Sequence, residues 1–170
     1  STKKIAILLY IYFPYGGLQK DFLEVAKELR SREIQFKVFT RKWEGVIPES
    51  FPVKEVGERG LTNFSKNKNF VEDSSLALEE YGPDLVFGFK RVFSYKSYQN
   101  IKFDIPIFII SGDKDPVGGN GKLVRDLHLF LNSFYTNVSM YLVSEARHEV
   151  LTEKNKEENF LKIINFIKQN

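Results

Sequence analysis

Cysteine is missing from all 170 positions, which excludes disulfides and thiolate metal sites. Imidazole is scarce as well, with His128 and His148 the two histidines. No apolar run reaches the about 18 residues that a membrane span requires. The opening Ser1-Thr2-Lys3-Lys4 is not that of a secretory leader, so a cytoplasmic location is expected. Charge of one sign is not in excess either. The 25 Lys and Arg against 22 Asp and Glu leave a net +3, scattered through the predicted helices rather than gathered into a stripe. That scatter argues against a nucleic-acid partner. A last absence concerns chemistry. No G-x-S-x-G pentapeptide, the strand–turn–helix device that presents a nucleophilic serine, occurs anywhere in the chain.

What is present is an ordinary globular composition, 42% hydrophobic and 28% charged. At this length one α/β domain covering 1–170 is expected, burying roughly two thirds of its unfolded surface. Apolar runs predict strands at Ile5–Tyr10, Phe36–Thr40, Val53–Val56, Leu85–Phe89, Ile105–Ile110 and Ser139–Val143. Between them, helical spacing predicts Leu18–Arg32, Lys66–Tyr81 and Gly121–Phe134, and a last helix opened by Asn155-x-x-Glu158 as a capping box. Gly82-Pro83 is a helix stop. Lys90–Asp104 shows no clean period and reads as a connector. Strand and helix in alternation imply a three-layer α/β/α Rossmann-like fold, its about six mostly parallel strands ordered 3-2-1-4-5-6.

Two loops carry the strongest chemical pattern. Ser111-Gly112-Asp113-Lys114-Asp115-Pro116-Val117-Gly118 and Ala146-Arg147-His148-Glu149 each follow a predicted strand. An acid loop followed by a histidine loop is the pattern of a base and its orienting carboxylate. Read alone, His148 is equally a loop histidine satisfied by a nearby carboxylate. His128, beside an apolar helix face, reads as an ordinary surface residue. The stretch Asp113–Asn120 has the look of a calcium loop, but Val117 and Val124 stand where acidic ligands belong, so no metal is expected. No cofactor is expected.

From about Asp104 onward the chain resembles the C-terminal part of serine-aminopeptidase-like α/β-hydrolases, a group that includes monoacylglycerol lipases and lysophospholipases. The resemblance implies Asp115 as triad acid and His148 as general base. The family's oxyanion loop, serine elbow and lid have no counterpart upstream. From about Lys4 to Phe89 the chain resembles lipopolysaccharide core glucosyltransferases of the two-Rossmann-domain type. The matching residues are Tyr12-Phe13-Pro14-Tyr15-Gly16-Gly17-Leu18-Gln19-Lys20-Asp21-Phe22, then Thr40–Gly45 and Val86–Phe89. This implies sugar-nucleotide binding at Gly16 and Gly17, with Asp21, on the first helical turn, toward the sugar and an acceptor segment near Thr62-Asn63. Without the resemblance, Gly16-Gly17 is a tight strand-to-helix turn and Asp21 a charge near a helix N-terminus.

The two resemblances divide the chain into a glycosyltransferase-like segment 1–90, a seam at 91–103 and a hydrolase-like segment 104–170. The expected reading is a chimera, engineered or fused, that has no complete active site and leans away from being an enzyme. Two alternatives stand beside it. One is an esterase-like hydrolase with a recruited nucleophile, Ser94 or Ser97. The other is a residual UDP-sugar binder. An apolar patch left where the halves meet would make a homodimer.

Overall fold

The computed structural model describes residues 3–15, 17–48, 51–57, 59–88, 104, 106–148, 150–152 and 155–170. The expected seam 91–103, with Ser94 and Ser97, lies outside the described residues, as do Gly16, Phe89 and Ile105. Strands are β1 (Lys4–Tyr12), β2 (Gln35–Trp43), β3 (Val53–Glu55), β4 (Leu85–Gly88), β5 (Ile107–Gly112) and β6 (Val138–Val143). Helices are α1 (Gly17–Ser31), α2 (Asn63–Tyr81), α3 (Lys122–Asn132) and α4 (Lys156–Gln169).

All pairings among the described residues are parallel. β3-β2-β1-β4 form one hydrogen-bonded sheet, and β5-β6 a second ladder whose β5 lies against β4. The strands therefore follow the predicted order. β1 explains its central place by composition: Ile5, Ala6, Ile7, Leu8 and Leu9 are all buried, as a strand covered on both faces requires.

Alternation then sorts the helices. Ile5, Ile7 and Leu9 pack with Phe22, Val25, Ala26 and Leu29 of α1 and with Phe160, Ile163, Ile164 and Ile167 of α4. Ala6 and Leu8 face the other way, onto Phe70, Ala77 and Leu78 of α2. Leu131 of α3 joins that second face through Val86, Ile107 and Ile109. Three layers result, with α1 and α4 on one side and α2 and α3 on the other. The first core also takes in Val143, Ala146, Val150 and Leu151, so residues from both ends of the chain pack in it.

Two local expectations are corrected. The N-cap position of α4 is Asn155, but its side chain makes no cap bond, so the predicted box with Glu158 does not form. Asn155 sits at φ −98° and ψ 21°, away from the extended conformation that aims a capping side chain at the helix. A box forms instead at α2, where Thr62 Oγ1 accepts from the Ser65 N–H and the Ser65 hydroxyl oxygen accepts from the Thr62 N–H. This is why α2 starts before the predicted Lys66. At its other end Gly82, with φ 62°, closes the helix in the left-handed conformation that only glycine adopts without strain.

Candidate functional site

In a parallel sheet every strand ends on the same edge, and both candidate constellations lie there. The first grows from β5 and β6. Their register sets Gly112 opposite Val143. Beyond it the Asp113 N–H donates to the Val143 carbonyl at 3.0 Å, and the Lys114 N–H to the Ala146 carbonyl at 2.9 Å. The acid loop is thus stitched to the histidine loop by backbone. Gly112 permits this approach, since a Cβ there would fall 2.2 Å from the carbonyl oxygens of Ala146 and Arg147.

Asp115 is delivered buried, its side chain 8% exposed. Its Oδ1 accepts from the Val117 N–H at 2.9 Å, and its Oδ2 meets His148 Nδ1 at 2.9 Å. A carboxylate only accepts, so Nδ1 carries the proton and the neutral ring keeps Nε2 as its basic atom. That is the tautomer a general base needs. The His148 side chain remains 37% exposed, so solvent or substrate reaches it. The two residues that the sequence pattern selected therefore stand together, in an oriented acid–base pair.

The second constellation lies at the ends of β1 and β2, where α1 begins. Gly17 is the first residue of α1, and Asp21 follows four positions later, a turn deeper than its expected place in the first turn. Asp21 is partly buried. Two residues of the matched stretches to which the sequence assigned no site role surround this helix start. Gln19 is 3% exposed, and its Nε2 has no partner among the described residues. Trp43 stacks on Tyr12 at 3.8 Å between ring centroids, with Phe22 edge-on to both, and its Nε1 is likewise buried without a partner. A signal existed for Gln19: it is spaced three residues from Phe22 and seven from Ala26, on the apolar stripe. For Trp43 the matched stretch Thr40–Gly45 was the signal, and periodicity gave none, because β1 and β2 alternate regularly only as far as Leu9 opposite Thr40. Pairing resumes at Ile11 opposite Lys42, and Thr40 Oγ1 lies 3.4 and 3.2 Å from the Tyr10 and Lys42 carbonyls at the interruption.

Other expected residues have structural employment. Thr62 caps α2, and His128 is more than a surface residue, because its Nε2 donates to the Val138 carbonyl at 3.1 Å. Among the described residues no cluster of His, Asp and Glu could hold a metal ion.

The chain is 35% identical over 88 residues to the lipopolysaccharide glucosyltransferase WaaG of Escherichia coli K12. That match takes in 52% of this chain and 24% of the relative, so the chain spans about a quarter of the curated relative's length. The crystal structure of WaaG, a glycosyltransferase involved in lipopolysaccharide biosynthesis, superposes with a TM-score of 0.56 at 20% identity, over 95% of this chain and 51% of that one. The Rossmann-like fold is common to both. MurG of Acinetobacter baumannii covers 83% of this chain and 66% of its own at a TM-score of 0.39 and 12% identity, too slight a likeness to argue from. No family model matches. None of these comparisons resembles a hydrolase, and none supports a chimera or an engineered origin for the C-terminal half.

Proposed function

We propose that the chain is a single α/β domain, glycosyltransferase-like in its first half, that binds a sugar nucleotide at the N-terminus of α1. The observation that carries this reading is the 35% identity to a glucosyltransferase over about half the chain. Physical chemistry supports the place. Backbone N–H groups at the start of a helix favour a diphosphate, and buried donors on Gln19 and Trp43 beside it lack partners among the described residues. Calorimetry with UDP-glucose tests the reading. Saturable heat is expected, weakened in Gly17→Val and in Asp21→Ala. Flat heats at millimolar ligand would refute it.

A second reading rests on a separate observation, the 2.9 Å contact between Asp115 and His148. This pair supports a hydrolase-like origin for 104–170, and with it a fusion of two families whose sheets share one handedness. It also supports weak ester cleavage, with His148 Nε2 as base for water or for a recruited serine. Turnover of p-nitrophenyl acetate lost in His148→Ala would favour it. A rate equal to buffer would leave the pair as a structural tie between two loops.

A further inference from the structure

Asn159 is 1% exposed, an amide on the face of α4 that is otherwise made of Phe160, Ile163, Ile164 and Ile167. A polar group on such a face is costly unless it is bonded. Its Nδ2 donates to the Val150 carbonyl at 2.6 Å, nine residues upstream. A carbonyl oxygen only accepts, so the nitrogen of the amide and not Oδ1 must face it. Val150 lies in the loop between β6 and α4 at 7% exposure, and Leu151 beside it is 3% exposed. A buried loop carbonyl has no ladder partner, and here a side chain supplies the donor.

The place of this bond in the loop gives it a further consequence. His148 stands two residues before Val150 and two after Ala146. Ala146 is 3% exposed, and its carbonyl accepts from the Lys114 N–H of the acid loop at 2.9 Å. The histidine is therefore suspended between two fixed carbonyls, one held by the acid loop and the other by α4. Consecutive Cα atoms are about 3.8 Å apart, so neither anchor is more than about 7.6 Å from the His148 Cα. Packing does not hold the ring, since the His148 side chain is 37% exposed. Its 2.9 Å contact with Asp115 relies instead on backbone fixed on both sides.

From this geometry we infer that Asn159 is a positioning residue for His148. Its amide fixes the far side of the histidine loop, so that Nδ1 meets the Asp115 carboxylate and Nε2 is left as the basic atom. The inference deepens the second reading above, and it rests on that reading's acid–base pair rather than on ester turnover.

Nitrogen-15 NMR of the His148 ring in the full chain tests this, at a pH about two units above the ordinary histidine value. The Nδ1–H form should dominate in the wild type. In Asn159→Leu, which keeps the apolar face but removes the donor, the ratio of Nδ1–H to Nε2–H forms should fall on the order of tenfold, the worth of one net hydrogen bond. Circular dichroism should stay unchanged, and the Val150 carbonyl carbon-13 shift reports that the amide bond is gone. Should Asn159→Leu fail to fold, Asn159→Ser carries the test, because its hydroxyl is too short to reach the carbonyl. A residue that merely ties helix to loop would lower the melting temperature on substitution and leave the tautomer alone. A folded variant with a displaced Val150 shift and the wild-type tautomer ratio would therefore overturn the inference and leave the pair standing. A wild-type ring without a dominant Nδ1–H form would overturn the inference and the second reading together.

Discussion

Single atoms decide whether the acid–base pair exists. Gly112→Ala would drive a methyl group into the carbonyl oxygens of Ala146 and Arg147, 2.2 Å from its ideal position. One loop must then retreat, and overpacking of this kind costs about 1–3 kcal/mol. The expected result is a lowered melting temperature together with loss of the hydrogen-bonded His148 Nδ1–H resonance in NMR. Retention of that resonance would separate the pair from the glycine. A second test concerns acid. The Thr136 hydroxyl and N–H both donate to Asp104 and hold its carboxyl below the usual range. A lowered folded value means the charged form is favoured by folding. The stabilisation is therefore present above the ordinary carboxylate range and lost as pH falls through the lowered value. Asp104→Asn should melt below the wild type at neutral pH, and the gap should close in strong acid. The site's sequence signal was of the same local kind. Asp115 and His148 were legible because their loops follow apolar strands, whereas Gln19 and Trp43 gain meaning only once α1 and the ends of β1 and β2 meet.

Among the elements, the caps of α2 and α4 make opposite predictions from similar-looking sequence. Thr62-x-x-Ser65 forms a reciprocal box, whereas Asn155-x-x-Glu158 does not. Thr62→Ala should cost about 1 kcal/mol, in the range for lost caps, and Asn155→Ala should leave stability nearly unchanged. Paired thermal melts check both, and the reverse order would contradict the assigned caps. Sequence alone favours the wrong box because glutamate is the standard third residue and serine is not. The rest of the element pattern was legible wherever periodicity was strong. The buried run Ile5–Leu9 and the stripe Phe22, Val25, Ala26, Leu29 each located their elements directly. Boundaries failed where alternation was interrupted, so that β1 and β2 extend to Tyr12 and Trp43 beyond the predicted Tyr10 and Thr40.

For the molecule as a whole, the decisive feature is that the halves share a core. Ile5, Ile7 and Leu9 meet α1 from the first half and Phe160, Ile163 and Ile164 from the last helix. Deleting side-chain volume at a fully buried Ile or Leu costs about 2–5 kcal/mol. Ile164→Ala, at a site 2% exposed, should therefore destabilise the first half of the chain as much as its own. The chain provides a reporter on each side. Trp43, the single tryptophan, is stacked on Tyr12, and His148 is held by Asp115. The measurement to make is urea unfolding followed together by Trp43 emission and by the ring resonances of His148. One cooperative domain predicts coincident midpoints that Ile164→Ala lowers equally. Loss of the His148 signals at a urea concentration where Trp43 still reports a native environment would contradict it.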